Sequence, residues 1–281
     1  MSEKTKRINI SDIRAHKGKP KPLVCLTAYT APMAARLDAH TDLLLVGDSV
    51  GMALYGMDNT LKVDLEMMVR HGQAVMRRAD TSCVVIDMPF GTYEESPELA
   101  YRNAAHIMRE TGCDGVKLEG GVDLAPTIQY LTSRKIPVMG HIGLMPQSVL
   151  KEGGYRVKGK TPESEAQLME DARAIEEAGA FAFVLEGTVD SVSQKITKES
   201  GVPVIGIGAS AACDGQILVT EDMLGLLDGH TPKFAKQYAQ LGDAISEAAA
   251  QYKAEVQERS FPSDEYLYHR PKVVSSDKKK A

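Results

Sequence analysis

Eight short runs dominated by Val, Ile and Leu recur along the chain without polar alternation, at residues 22–28, 43–46, 83–86, 115–118, 137–140, 181–185, 203–207 and 216–219. A strand with one wet face alternates apolar and polar residues. A run that is apolar throughout has to be covered on both faces, as in a parallel sheet flanked by helices. The intervening segments have helical periodicity. Over residues 65–79, Leu65, Met68, Val69, Gly72, Val75 and Met76 share one stripe. Ser96-Pro97-Glu98 and Thr161-Pro162-Glu163 each set a capping hydroxyl before a proline at the first helical position, where a missing N–H costs nothing. Apolar stripes follow through Ala100, Ala104, Ile107 and Met108, and through Leu168, Ala172 and Ile175. Eight strands alternating with helices predict a (β/α)8 TIM barrel, an α/β fold. The first strand leads into Thr27-Ala28-Tyr29-Thr30 with no glycine-rich phosphate turn, which argues against an open, doubly wound sheet.

The 281 residues suit that barrel as a single domain spanning 1–281. A short N-terminal helix capped by Ser11 is expected to plug one end, and a C-terminal helical extension near residues 243–258 to pack outside. The tail from Ser275 to Ala281, with Lys278-Lys279-Lys280, is expected to be frayed and solvated. A net charge of -5 gives no electrostatic reason to expect nucleic acid or an anionic membrane as partner. Residues 1–10 are polar and charged, and no run approaches a membrane span, so a cytoplasmic location is expected. The four cysteines, Cys25, Cys83, Cys113 and Cys213, form no CxxC pair and read as small buried hydrophobes in a reducing compartment.

Barrels of this kind carry their chemistry at the C-terminal ends of the strands. Those ends read Gly47-Asp48-Ser49, Asp87-Met88-Pro89, Lys117-Leu118-Glu119, Gly140-His141 and Leu185-Glu186, so five consecutive strands deliver ionisable groups to one mouth. Four of the five bring carboxylates, which repel unless a positive charge lies among them. Asp48, Asp87 and Glu119 offer only oxygen ligands, the donor set of a hard divalent cation such as Mg2+ rather than of structural zinc. Lys117 is two residues from Glu119 and shares its face. There it can neutralise a substrate carboxylate or simply pair with Glu119. Glu186 is the candidate general base, with a fourth metal ligand or a pairing acid as the alternatives. His141 can stabilise developing negative charge or orient Glu119, and is left outside the site set. The basic loop at residues 153–160 reads equally as a lid or as solvated chain. Residues 206–210 lie where barrels often bind phosphate, but a short glycine run is a weak signal.

Several of these stretches are long enough to be specific. Leu26-Thr27-Ala28-Tyr29-Thr30, Val46-Gly47-Asp48-Ser49-Val50-Gly51-Met52, Asp87-Met88-Pro89-Phe90-Gly91, Val116-Lys117-Leu118-Glu119-Gly120-Gly121, Gly140-His141-Ile142-Gly143-Leu144 with Pro146-Gln147, and Asp214-Gly215-Gln216-Ile217-Leu218-Val219 occur in this order, and the chain resembles the ketopantoate hydroxymethyltransferase family from about Ile10 to Phe234. The resemblance implies a barrel of the phosphoenolpyruvate/pyruvate type. It implies transfer of a hydroxymethyl group from methylenetetrahydrofolate to 3-methyl-2-oxobutanoate, giving 2-dehydropantoate in pantothenate biosynthesis. By motif, Asp48, Asp87 and Glu119 would bind Mg2+. Asp48, Ser49, Asp87 and Lys117 would contact the 2-oxo acid, and Glu186 would accept a proton. A cytoplasmic homodecamer is implied as well. The chain departs from the family pattern at Gly187-Thr188-Val189-Asp190 and at Ser210, both on the mouth side.

The chemistry this predicts is a 2-oxo acid chelated through two oxygens, with developing enolate charge on the metal. Lys117 and Ser49 would supply further fixed donors to that charge. Three rivals stand beside it: another Mg-dependent carbon–carbon lyase or aldolase of the same barrel type, a Schiff-base aldolase using Lys117, and a barrel that only binds a ligand.

Overall fold

The computed structural model describes residues 6–229 and 231–269. Its strands are β1 (Leu23–Thr27), β2 (Leu43–Val46), β3 (Cys83–Asp87), β4 (Gly115–Glu119), β5 (Val138–Gly143), β6 (Ala182–Glu186), β7 (Val204–Ile207) and β8 (Gly215–Leu218). Each pairs in parallel with the next, and β8 pairs with β1, so the sheet closes on itself. All eight apolar runs are strands. The one real difference in extent is β5, which continues through His141-Ile142-Gly143 and so carries His141 inside the strand.

Between the strands run α1 (Ile10–Arg14), α2 (Ala31–Leu37), α3 (Val50–Tyr55), α4 (Leu65–Met76), α5 (Pro97–Thr111), α6 (Ala125–Ser133), α7 (Val149–Glu152), α8 (Pro162–Glu177), α9 (Asp190–Glu199), α10 (Thr220–Met223) and α11 (Leu241–Gln257). The two hydroxyl–proline starts behave as read. Ser96 Oγ accepts the Leu99 N–H, and Thr161 Oγ1 accepts that of Ser164. Gly72 belongs to the buried stripe of α4 because the helix crosses β3 closely there. A Cβ at that position would stand 2.4 Å from Ile86 Cδ1.

Strand alternation splits the core in two. Leu44, Val46, Val84, Ile86, Val116 and Leu118 face outward and pack with Met68 and Val69 of α4 and Ile107 of α5. Leu43, Leu45, Cys83, Val85, Met139 and Val184 face inward and fill the barrel. Burying each such aliphatic side chain contributes about 1.5–3 kcal/mol. The four cysteines are free and buried. Burial pushes the thiols up, that of Cys113 to about 11, so they pack as inert hydrophobes.

Two expectations at the ends of the chain need correction. α1 does plug the barrel, through Ile13, which is fully buried among the inward-facing residues. Its cap, however, is Asn9 rather than Ser11. Asn9 Oδ1 accepts the N–H groups of both Ser11 and Asp12, and the Asp12 carboxylate returns a bond to the Asn9 N–H. That two-way box places Ser11 within the first turn. α11 forms where a helix was expected but buries none of its residues, and Ile245, Tyr252 and Val256 are exposed along it. Tyr252 meets the Phe261 ring edge-on at 5.4 Å and still stays exposed. The expected tail at Ser275–Ala281 lies outside the described residues. No helix among the described residues is long and apolar enough to cross a membrane.

Candidate active site

The inward-facing positions change character near the C-terminal ends of the strands. In β3 Val85 is followed two residues on by Asp87, in β5 Met139 by His141, and in β6 Val184 by Glu186, while β4 presents Lys117 and Glu119. Strand register puts these in layers: Asp87 opposite Lys117, Glu119 opposite His141, and Glu186 opposite Gly143. Gly143 has to be glycine. Its φ is +94°, and a Cβ there would meet the Glu186 carbonyl oxygen at 2.3 Å.

Asp48, just past β2, donates its N–H to Asp87 Oδ2 at 3.0 Å. Lys117 Nζ stands 3.1 Å from Asp87 Oδ1 and 3.9 Å from Glu119 Oε1. Glu119 Oε1 is 3.2 Å from His141 Nδ1, and His141 Nε2 is 3.4 Å from Glu186 Oε2. A continuous chain of ionisable groups thus runs from Asp48 to Glu186, and every predicted site residue lies on or beside it. Ser49 is held at its edge, its hydroxyl 2.7 Å from the buried Tyr29 hydroxyl. All are buried except Ser49 and Glu186; the Glu186 side chain is 16% exposed against 3% for His141, which makes it the acid of the group most open to an incoming molecule.

Burial and the neighbouring Asp87 and Glu119 charges push the Asp48 carboxyl up to about 7. Asp87 is also raised, by burial, with Lys117 and the Asp48 N–H opposing. Burial works against protonated Lys117, yet Asp87, Glu119 and Asp48 outweigh it and hold the ammonium above its usual range. An amine so firmly protonated is a poor nucleophile, which counts against the imine reading. Burial and Lys117 likewise oppose charging His141, but Glu119 and Glu186 raise it to about 9. Burial tends to raise Glu119 too, and the cations and hydrogen bonds around it reverse the sign and lower it.

The donor chemistry fits a hard divalent cation. Three buried carboxylates meet one ammonium and one imidazole, and Asp87 Oδ1 receives no aligned hydrogen bond despite the nearby lysine. Among the described residues, no three acidic, histidine or cysteine side chains already form a ready coordination set. Both Glu119 oxygens are taken up by partners, one facing His141 and the other accepting the Gln147 N–H.

Residue reading undervalued four groups. His141 joins Glu119 to Glu186, a role that its residue type alone leaves open. Gln147 and Tyr93 contact the carboxylates or their main chain, but a lone amide or phenol carries no signal in the sequence. Glu221, after β8, is 3% exposed with Oε2 unpartnered, and burial pushes it to about 7. The basic loop does bend over the mouth: Tyr155 Oη lies 3.9 Å from Met52 Sδ, and Lys158 bridges to Thr188. Ser210 turns its hydroxyl inward to the Ala212 N–H, so the loop after β7 spends that polar group on its own turn.

The family model described as ketopantoate hydroxymethyltransferase matches residues 7–264. The chain is 54% identical over 268 residues to the 3-methyl-2-oxobutanoate hydroxymethyltransferase of Rhizobium rhizogenes, covering 95% of this chain and 98% of that one. It is 59% identical to the protein of the same name from Paramagnetospirillum magneticum, with 94% and 96% covered. Among solved structures it is similar to 2,3-dimethylmalate lyase, described as a PEP mutase/isocitrate lyase superfamily member. There the TM-score is 0.58 at 18% identity, with 93% of this chain and 89% of the other covered. At that identity the likeness is one of fold.

Proposed function

The chain belongs to the ketopantoate hydroxymethyltransferase family, and from that premise we propose that it transfers a hydroxymethyl group from methylenetetrahydrofolate to 3-methyl-2-oxobutanoate, giving 2-dehydropantoate. The observation that carries the reading to individual residues is the buried chain of groups from Asp48 through Asp87, Lys117, Glu119 and His141 to Glu186. Mg2+ would be held by Asp48, Asp87 and Glu119. When bound, it supplies a Lewis acid for the keto and carboxylate oxygens of a 2-oxo acid.

The remaining work falls to the chain. Asp48, Ser49, Asp87 and Lys117 bind the 2-oxo acid. Lys117, kept charged by three carboxylates, balances negative charge on the substrate from a fixed position. The apolar layer beneath it, with Val85 and Met139, excludes water from that side. Glu186 accepts the proton from the carbon next to the ketone. The His141 imidazolium lies against its Oε2 and orients the carboxylate. The deprotonated carbon then bonds to the methylene carbon, a water supplies the hydroxyl group as the two C–N bonds to the folate break, and tetrahydrofolate leaves with its nitrogens protonated. We assign the protein to the cytoplasm and to a homodecamer. Four free cysteines support the first assignment, and the exposed apolar residues of α11 support self-assembly.

Solvent deuterium exchange into 3-methyl-2-oxobutanoate, run without folate, tests this directly. The unaltered enzyme should exchange the C3 proton only when Mg2+ is present. Glu186→Gln should slow exchange by about 10²–10⁴-fold while still binding the cation. Retained exchange in that variant rejects the base. Covalent trapping of substrate on Lys117 by borohydride would replace the whole scheme with the imine route.

A further inference from the structure

Gln147, in the turn after β5, is buried and reaches the ends of three other strands at once. Its Nε2 donates to Asp48 Oδ2 at 2.9 Å and to the Met88 carbonyl at 3.1 Å, just beyond β2 and β3. Its main-chain N–H donates to Glu119 Oε2 at 3.1 Å, at the end of β4. The Met88 carbonyl can only accept, which settles the orientation of the amide. Oε1 therefore faces Tyr93 and accepts its hydroxyl proton. With that proton committed, Tyr93 Oη accepts the Glu119 N–H at 3.3 Å. The circuit has one direction: from the Glu119 main chain through Tyr93 and Gln147 to Asp48, with a second arm from the Gln147 N–H back to the Glu119 carboxylate.

We propose that Gln147 is the positioning residue that orients Asp48 and Glu119 together toward the divalent cation, with Tyr93 locking the amide in the sense this requires. The inference rests on the reading of Asp48, Asp87 and Glu119 as the groups that hold that cation. A lone carboxylate is free to turn about its last torsion. Here one residue supplies a donor to one oxygen of each, so neither can turn without losing a bond inside a buried site. A thioether of similar length in its place would fill the space and release Asp48, while the main-chain donor to Glu119 stays. Partners of this kind are worth about 10–100-fold in metal affinity.

The test is a titration of the substrate-free enzyme with Mn2+, reading free ion by electron paramagnetic resonance and the fold by circular dichroism. Gln147→Met should weaken Mn2+ binding about tenfold or more and raise the KM for the 2-oxo acid, with the secondary-structure spectrum retained. Tyr93→Phe should move affinity the same way by a smaller factor, because Oε1 then loses its donor and the amide is held at one end only. Asp48→Asn is the control on the underlying reading. If Gln147→Met binds Mn2+ like the parent while Asp48→Asn loses it, the positioning role is wrong and the site stands. If Asp48→Asn binds like the parent, the site reading fails and this inference with it. A residue that merely supports the fold would lower the melting temperature and leave affinity unchanged, which also overturns the proposal. Should Gln147→Met fail to fold, Tyr93→Phe decides, and unchanged affinity there refutes it.

Discussion

The floor and the mouth of this barrel are made from the same strands and treat their inward positions in opposite ways. At the floor Leu43, Cys83 and Val85 pack on one another and on Ile13, with no polar group to satisfy. One inward step further along, about 6.6 Å at the usual rise per residue, Val85 gives way to Asp87, Met139 to His141 and Val184 to Glu186. The floor gains from leaving water. The mouth pays a desolvation cost that its ion pairs offset only in part, as the raised Asp48 carboxyl records. The two regions therefore divide stability from chemistry along the strand axis. A change in one should be legible as such and not as a change in the other.

The largest effect should come from making the mouth resemble the floor. Lys117→Met removes the one ammonium facing Asp87 and Glu119, and kcat/KM should fall by about 10²–10³-fold. Near-parent activity would mean that the lysine only pairs with its neighbours. The reciprocal change is Leu43→Ala, which should lower unfolding stability in a denaturant titration by about 3 kcal/mol. Activity per folded molecule should stay within about twofold, since no mouth residue loses a contact. A large loss of turnover would show that floor and mouth are coupled.

Next in size is the pH dependence of cation stabilisation. The folded-state Asp48 carboxyl lies near 7, above its ordinary 3.8, so its proton stabilises the metal-free fold fully below about pH 4. That contribution is lost as pH rises towards 7. A cation competes with the proton, so the melting-temperature gain from saturating Mg2+ should be larger at pH 8 than at pH 5. At a hundred times Kd the stabilisation amounts to about 2.7 kcal/mol. An equal gain at both values would place the ion away from Asp48. Smallest is Ser96→Ala, on the outer helix layer. It should cost about 1 kcal/mol by loss of the α5 cap and leave kinetics untouched.

The fold was legible because its signals are local. Unbroken apolar runs mark strands buried on both faces, and Ser96 and Thr161 announce helix starts within a few residues. The site was legible where side-chain type and strand-end position coincide, as at Asp48, Asp87, Lys117, Glu119 and Glu186. His141 also stands at a strand end, but its residue type leaves its role open, and only its place between Glu119 and Glu186 assigns one. Ser11 misled because Asn9, two residues earlier, is as good a cap and has Asp12 to complete the box.

By itself, then, the order of amino acids determined an eightfold alternation of strand and helix and the inward spacing of the acids, since both follow from periods of two and 3.6 residues. Only the tertiary structure decided which of those groups touch. Gln147 meets Asp48 across 99 positions and Tyr93 across 54, pairings set by strand register and barrel closure. It also decided that no residue of α11 would be buried among the described residues. A helix can be read from its own periodicity, but its cover depends on where the rest of the molecule lies.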